Sequence, residues 1–324
     1  MANIYPYGCF THAVVRSIPE SFGKLAEGGE GFETDLAKAQ RQMGVLTGAL
    51  RQKVGLQLIE IPAVSELPES WRIEDIAVIQ GDTALITRPF KQQRRAEAEA
   101  VRRVLNELKL TVVEMGDEEG GSGGATLEGS DVLFTGKEFF VGISKHTNHR
   151  GAEVLADTFK DFAVSTVPVC GGSRLKNICS MGGPDTIIIS SGDGAKKTLR
   201  VMEQLTDHHY EILSVPEDVA ANCIYIRGPS RADYLLHPTA EECPNSVPVS
   251  NRGWSVHIVL YERNCALPSQ CDLSGEKHAA GINFNYTNEC CDTDLCNTAA
   301  TISSPCWTGA VLSLCSLALL LQLG

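Results

Sequence analysis

The 324-residue chain is 43% hydrophobic, so it can bury the core of one large domain or of two smaller ones. Its formal net charge of −12 argues against sequence-independent binding to nucleic acid, which needs clustered Lys and Arg side chains. A small cationic molecule is the more natural partner.

Over the first 240 residues the chain repeats one order of elements: a hairpin, a helix and a single strand. Strand-like runs of β-branched and aromatic residues open the repeats, at 13–16, 76–80 with 83–87, 131–142, 186–190, and 222–227 with 234–237. Helices followed by single strands lie between them, at 35–50 and 56–61, 96–108 and 110–114, 148–162 and 165–169, and 195–205 and 212–215. Asp35 is the expected N-cap of the first helix.

Five such units, starting near residues 8, 76, 131, 181 and 222, predict an α/β fold of modules arranged around an axis. The fifth unit is interrupted. A helix is due after Cys243, but the segment 246–254 contains Pro248 and Gly253 and has no 3.6-residue period. We therefore expect an incomplete fifth unit and a domain boundary near residue 246.

The composition changes from Trp254 onward. A strand is predicted at 256–261, and seven of the twelve cysteines follow it. The five earlier cysteines are typical of reduced cytosolic thiols, whereas the later ones are typical of a disulfide framework. Neighbours such as Cys290 and Cys291 rarely bond each other, so each is expected to pair elsewhere. A zinc site is the alternative, but the C-x₂-C pairs typical of one are missing.

The final run, 307–324, is apolar and uncharged, and its length is at the short limit for crossing a bilayer. Small residues at 297–300 and 303–304 precede it, which is the layout of a lipid-anchor signal. No basic segment followed by an apolar run is visible at the N-terminus, so we expect a cytoplasmic protein. Membrane anchoring through the tail is the alternative.

A carboxylate at a strand mouth marks the first candidate site residue. Glu128 lies two residues after Thr126, beside Gly129, just before 131–142, where two apolar runs separated by 135–138 predict a hairpin. A carboxylate in this setting more often faces a cleft than a core. The alternative is a solvated acid in a turn.

Further charged residues lie before and after the strand at 76–80. Glu74 and Asp75 are consecutive at its start, Glu69 precedes them and Arg94 follows. Adjacent carboxylates repel unless a cation or hydrogen-bond donors lie between them, and a guanidinium or ammonium ligand meets that need. The alternative is a solvated loop.

Several segments together resemble dimethylarginine dimethylaminohydrolase: Ile73–Pro89, Thr126–Gly136, Asn148–Glu153, Asp161–Pro168 and Leu235–His237. The resemblance covers about residues 8–246 and implies a pentein, the five-bladed α/β propeller of guanidino-modifying enzymes. It also implies a reaction in which a cysteine thiolate attacks the guanidinium carbon of asymmetric dimethylarginine. Dimethylamine leaves with a proton from a histidine, water then releases citrulline, and inhibition of nitric oxide synthesis is relieved. Neither a metal nor a cofactor is expected.

By position, the resemblance implies a role for each candidate residue. Glu74 and Asp75 would bind the guanidinium group of the substrate. Glu128 would orient the histidine, Arg94 would hold the amino-acid carboxylate, and Glu69 would contact the substrate.

Three departures from the family affect its chemistry. The position of the catalytic histidine is Arg174, whose guanidinium stays protonated at neutral pH and cannot exchange protons. A second arginine of the family's carboxylate pocket falls on His146. The nucleophilic cysteine belongs to the family's C-terminal strand, and the resemblance ends before that strand. We therefore expect an inactive member; non-catalytic binding of a methylated arginine, an arginine-like ligand or a protein partner is the alternative.

Residues 247–305 resemble the C-terminal half of a Ly-6/urokinase-receptor domain, and the hydrophobic tail at 306–324 resembles its anchor signal. This second resemblance implies the disulfides Cys271–Cys290 and Cys291–Cys296 and leaves Cys265 without a partner. It implies a lipid-anchored surface protein as a further functional alternative.

Overall fold

The computed structural model describes residues 8–22, 35–116, 124–170, 172–238, 243, 257–261, 274–279, 282–287 and 318–322. Within these ranges lie four α-helices: α1 (Leu36–Ala49), α2 (Ala98–Glu107), α3 (His149–Thr158) and α4 (Asp193–Leu205). All four lie where the spacing of apolar residues predicts a helix. The side chain of Asp35 accepts a hydrogen bond from the Lys38 amide at 2.8 Å, which confirms the predicted N-cap.

The described residues form seventeen strands: β1 (His12–Arg16), β2 (Gln57–Ile61), β3 (Ala77–Gln80), β4 (Thr83–Ile86), β5 (Thr111–Glu114), β6 (Val132–Phe134), β7 (Glu138–Ile143), β8 (Ala163–Pro168), β9 (Cys179–Gly183), β10 (Thr186–Ser190), β11 (Glu211–Val215), β12 (Ile224–Arg227), β13 (Asp233–His237), β14 (His257–Tyr261), β15 (Ser274–Ala279), β16 (Ile282–Thr287) and β17 (Ala318–Leu321). Most strands before residue 240 lie at their predicted positions. The two apolar runs predicted to form a hairpin within 131–142 are β6 and β7, and in the turn between them the Thr135 amide donates to the Glu138 carbonyl at 3.0 Å, which confirms the hairpin.

Three sheets share one topology, in the orders β3-β4-β5, β6-β7-β8 and β9-β10-β11. In each, the first two strands are antiparallel and the third runs parallel to the second. A parallel neighbour requires a crossover connection, and helices α2, α3 and α4 supply it. The predicted order of hairpin, helix and strand is therefore confirmed in these three units.

The sheet after residue 221 departs from this topology. Strand β14 pairs with β13 in antiparallel orientation, with His237 opposite His257 and Asp233 opposite Tyr261. The fifth unit, predicted to be incomplete, thus has a third strand, but one of the opposite direction to β5, β8 and β11.

The sheet that contains β1 is completed by residues from the end of the chain. Strand β17 pairs antiparallel with β1, with Val15 opposite Ala318 and His12 opposite Leu321, while β2 pairs with β1 in parallel. Ala318, Leu319 and Leu321 are buried. Four residues of the run predicted as a membrane tail therefore lie in a sheet, packed on its apolar core.

The Ly-6-like region lies mostly outside the described residues. Its five cysteines and both implied disulfides are among the residues not described, so they stay predictions. Strands β15 and β16 form an antiparallel hairpin between Cys271 and Cys290. Within the part of the chain that the structure covers, no helix is both long and apolar enough to cross a membrane.

Candidate functional site

Four of the candidate site residues lie on, or cap, short 3₁₀ turns that precede the first strands of neighbouring sheets. Glu74 and Asp75 belong to the turn Ile73–Ile76 before β3, and Glu128 caps the turn Gly129–Asp131 before β6. Arg174 caps the equivalent turn before β9. The repeated topology therefore brings residues that are distant in sequence to one end of the sheets.

A glycine allows two of these turns to meet. A Cβ atom at Gly129 would lie 2.0 Å from the carbonyl oxygen of Glu74, which is closer than any side-chain carbon can approach a backbone oxygen. Only glycine permits this contact, and the contact sets the spacing between the turn that carries Asp75 and the turn that follows Glu128.

Arg174 and Glu128 form a doubly hydrogen-bonded pair in the site. The Nε and Nη2 atoms of Arg174 donate to the same oxygen, Oε2 of Glu128, at 2.8 and 2.5 Å, and both residues are buried. Burial lowers the pKa of a guanidinium, but Asp75 and Glu128 outweigh burial and raise the pKa of Arg174 above its ordinary value. Arg174, which the resemblance predicts at the family's histidine position, is thus a permanently charged cation.

Asp75 is surrounded by arginines. Its Oδ2 atom lies 2.7 Å from Nη1 of Arg94 and 3.2 Å from Nε of Arg72, and its Oδ1 atom lies 3.9 Å from Nε of Arg174. Oδ1 also accepts a hydrogen bond from the Ser130 hydroxyl. Burial alone would raise the pKa of Asp75, but the three guanidinium groups outweigh it and hold the pKa well below its usual range.

Arg94 is engaged by acids of the protein itself. Besides Asp75, it contacts Glu97 in a bidentate pair, with Nε to Oε1 at 3.1 Å and Nη2 to Oε2 at 2.9 Å. Its Nη1 atom lies 3.8 Å from Oε1 of Glu128. Arg94 is 2% exposed, so its cationic face is directed to these carboxylates and not to solvent.

Glu74 points away from this cluster although it adjoins Asp75 in sequence. Its Oε1 atom pairs with the ammonium group of Lys176, from the turn before β9. Burial outweighs the favourable interaction with Lys176 and raises the pKa of Glu74 to about 7. The structure therefore divides the two predicted guanidinium-binding carboxylates between two different ion pairs.

The two remaining predicted residues lie on the border of the cluster. Nδ1 of His146 is 3.6 Å from Oε1 of Glu128, and the imidazole ring meets the ring of Phe90 edge to face at 6.1 Å. Glu69 pairs with Lys91 at 3.0 Å, with both side chains about a fifth exposed. His146 therefore joins the cluster, whereas Glu69 is held by a surface pair.

Four residues of the site were not predicted: Arg72, Glu97, Asp131 and Lys176. Glu97 follows Arg94 by three residues, a helical spacing that places both on one face, and this signal could have found it. Asp131 accepts from the Ser144 hydroxyl at 2.7 Å and from the Leu175 amide at 2.9 Å, so it fixes the backbone next to Arg174. Burial raises the pKa of Asp131 to about 6.

The fold and the site together define an α/β protein whose buried carboxylates bind guanidinium groups, here those of its own arginines. No family model matches the chain. The DDAH2 protein of Homo sapiens is 53% identical over 242 residues, which cover 74% of this chain and 83% of that protein. The chain therefore belongs to the dimethylarginine dimethylaminohydrolase (DDAH) family, as its sequence segments predict.

Two proteins of lower sequence identity have a similar fold. The dimethylarginine dimethylaminohydrolase of Pseudomonas aeruginosa is 25% identical over 224 residues, 67% of this chain and 82% of that protein. The crystal structure of a cysteine mutant of that enzyme with citrulline gives a TM-score of 0.57, at 24% identity and the same coverage. The N-terminal domain of ArgZ, a cyanobacterial arginine dihydrolase, gives 0.54 at 14% identity, over 66% of this chain and 79% of that one. The DDAH-like α/β fold is confirmed; the number of blades stays a prediction.

Proposed function

We propose that this chain is a non-catalytic member of the DDAH family, in which the guanidinium of Arg174 occupies the carboxylate that the family uses to orient its histidine. The observation that carries the proposal is the double hydrogen bond from Arg174 to Oε2 of Glu128. A relative is named for hydrolysis of dimethylarginine, and its solved structure holds citrulline. The family reaction is hydrolysis of asymmetric dimethylarginine to citrulline and dimethylamine.

A guanidinium cannot replace the histidine in that reaction. General acid–base catalysis requires a group whose pKa lies near the operating pH, and it contributes about 10²–10⁴-fold to the rate. The pKa of Arg174 is raised above an ordinary value that already exceeds 12. Arg174 therefore has no means of giving a proton to the leaving amine at neutral pH.

The same ion pairs also oppose binding of a methylated arginine. Arg72, Arg94 and Arg174 surround Asp75, and Arg174 with Arg94 approaches Glu128. Another guanidinium about 4 Å from Arg174 would be repelled by about 4 kcal/mol at an effective dielectric constant of about 20. The carboxylates predicted to receive the substrate cation are thus compensated by cations of the chain itself.

The first test is release of citrulline from asymmetric dimethylarginine by the purified full chain, with the Pseudomonas aeruginosa enzyme as positive control. We expect no release above background. Turnover within tenfold of the control enzyme would refute the proposal. The variant Arg174→His restores a proton carrier; turnover by this variant would show that the chain holds a nucleophile, against our prediction that the cysteine is missing. Arg200→His, at an exposed arginine of α4, is the matched control.

The second test measures whether Arg174 acts as an internal ligand. Arg174→Ala removes one partner of a buried ion pair and should lower the free energy of unfolding by about 3–5 kcal/mol. Millimolar guanidinium chloride should raise the melting temperature of this variant and leave the unmodified chain unchanged. Tetramethylammonium chloride, which lacks N–H donors, is the control salt. Equal responses to both salts would show that the site does not select a guanidinium.

A further inference from the structure

Strand β11 has a free edge among the described residues. It is the last strand in the order β9-β10-β11, and it pairs only with β10, in parallel orientation. The Glu211 amide donates to the Asp185 carbonyl at 2.8 Å, so the odd-numbered residues of β11 direct their backbone groups to β10. The N–H and C=O groups of Ile212 and Ser214 point the opposite way, because alternate residues of a strand do so. Such an edge can pair with a further extended segment.

A cavity of about 180 Å³ adjoins this edge, between β11 and helix α4. Its floor is apolar: Ile187 and Met202 are buried, and Ile212 lies opposite Ile187 in the sheet, on the same face. Five of its lining residues carry polar groups: Glu203, Thr206, His208, His209 and Tyr210. A residue placed beside Ile212 on an added strand would have its side chain on the face that holds the cavity. Since a cavity of about 150 Å³ holds benzene, this one has room for an aliphatic side chain of leucine size.

The part of the chain that forms this edge is acidic. Residues 201–226 contain five acids and neither Lys nor Arg: Glu203, Asp207, Glu211, Glu217 and Asp218. Glu203, Asp207 and Glu211 are exposed, and no Lys or Arg of the described ranges forms an ion pair with any of them. Charge of one sign at a binding surface directs partners of the opposite sign to it and repels partners of the same sign. The edge is therefore suited to a basic partner.

The same charge argues against a second copy of this chain as the partner. Two β11 edges paired with each other would bring two sets of these acids together without a base among them, and like charges across an interface oppose association. A basic peptide supplies the missing charge. Extended peptides that add to a sheet edge gain affinity from main-chain hydrogen bonds and specificity from pockets for alternate side chains, and β11 offers both features.

We propose that the β11 edge and the cavity between β11 and α4 bind an extended basic peptide segment of another protein. The peptide backbone pairs with Ile212 and Ser214, and one aliphatic side chain enters the cavity. Flanking Lys or Arg side chains pair with Glu203 and Glu211. The site is separate from that of the proposed function, because the residues of the arginine–carboxylate cluster do not line this cavity. Absence of citrulline release and binding of the peptide can therefore be confirmed or refuted independently.

The probe is the peptide acetyl-Lys-Thr-Lys-Leu-Lys-Thr-Lys-amide, titrated calorimetrically into the full chain. We expect saturable binding. Replacing its Leu by Ser removes the side chain that enters the cavity and should weaken binding at least tenfold. Replacing every Lys by Glu should abolish binding.

Two N-methylated versions of the peptide distinguish strand pairing from attraction between charges alone. One is methylated at the Lys amides and the other at the Thr and Leu amides, so both keep the charge and the side chains of the parent peptide. Only one set of amides faces β11 in an added strand. One version should therefore bind at least tenfold more weakly than the parent, whereas the other should keep most of its affinity.

Substitutions in the chain test the edge itself. Ser214→Pro removes an N–H group that faces the free edge, a position where a sheet tolerates proline, and should weaken binding at least tenfold. Ser214→Ala keeps the N–H group and should leave binding unchanged. Glu203→Gln combined with Glu211→Gln should weaken binding about fivefold, as expected for two exposed charge pairs. The same loss of charge on α3, by Glu153→Gln with Asp157→Asn, should have no effect.

Hydrogen exchange locates the bound peptide on the unmodified chain, where binding should slow exchange at the amides of Ile212 and Ser214. The proposal is overturned if the basic peptide shows no saturable binding, or if both N-methylated versions bind as tightly as the parent. Unchanged binding by Ser214→Pro, with its fold verified by circular dichroism, would also overturn it. Concentration-dependent dimerisation that Ser214→Pro abolishes would assign the edge to a second copy of the chain and refute the proposal.

Discussion

The place of the C-terminal run in the sheet can be tested at Leu321. The structure buries this side chain completely, in β17 opposite His12, and packs it with Val14, Ile61 and Ile76. If the tail instead served only as a membrane anchor, the same side chain would make no contact with the core. The substitution Leu321→Ala separates the two cases because it removes core contacts only if β17 is formed.

The expected size of the effect follows from burial. Replacing a fully buried leucine by alanine costs about 2–5 kcal/mol, the sum of lost transfer energy and of the cavity left behind. We take about 3 kcal/mol for Leu321, because an edge strand of four residues can partly relax around the gap. At about 2–4 °C per kcal/mol for a chain of this size, the melting temperature should fall by about 6–12 °C.

Two matched controls make the measurement specific. Leu320 is adjacent in sequence but only partly buried, so Leu320→Ala should cost about 1 kcal/mol. Leu213→Ala, at a leucine that is 46% exposed, should stay within about 0.5 kcal/mol. Thermal and urea unfolding of the full chain, followed by circular dichroism, measure all three. Equal and small effects at Leu321 and Leu320 would refute the pairing of β17 with β1.

Two further predictions follow from the site. Glu74 has a pKa of about 7 in the folded chain against 4.5 ordinarily, so the folded state holds its proton more tightly than the unfolded state. Its contribution of about 3 kcal/mol to the free energy of unfolding is fully present below pH 4.5 and is lost as the pH rises through 7. Urea unfolding should therefore give a lower free energy of unfolding at pH 7.5 than at pH 5, and Glu74→Gln should reduce the difference. An unchanged difference in the variant would contradict this role of Glu74. Gly129→Ala should prevent folding or cost more than about 3 kcal/mol, because its Cβ would meet the Glu74 carbonyl oxygen at 2.0 Å. Gly44→Ala, in α1 with nothing within 4 Å, should instead stabilise by about 0.5–1 kcal/mol, and equal effects would refute the close contact.

Local patterns predicted the elements well because their causes are local. The apolar spacing of α2 and the N-cap at Asp35 depend on residues within one or two turns of each other. The position of β17 depends on pairing with β1, about 310 residues earlier in the chain, as the hydrogen bond from Thr11 to the Leu321 carbonyl shows. An uncharged apolar run of this length is compatible with an anchor or with a buried strand, and only the pairing distinguishes the two.

The ion-pair partners of the candidate residues could not be predicted from the sequence. Glu74 and Asp75 are neighbours in the chain, and on a 3₁₀ turn adjacent side chains point in different directions. Lys176 lies 102 residues after Glu74, and Arg174 lies 46 residues after Glu128. The resemblance predicts Arg174 where the family has a histidine. Its pairing with Glu128, however, depends on how the two turns pack in the folded chain.

In the proposed function, an arginine in place of the family's histidine changes the site from a reactive one to a structural one through its charge. A histidine is neutral for part of the physiological pH range, so it leaves Glu128 and Asp75 with charge available for a cationic ligand. Arg174 is charged throughout and supplies the guanidinium itself, at 2.5 Å from Glu128. The surrounding carboxylates then stabilise the folded chain in the way that they would otherwise stabilise a bound substrate. A chain that performed no chemistry would still need Glu128, because its removal would leave the buried Arg174 without its nearest carboxylate partner.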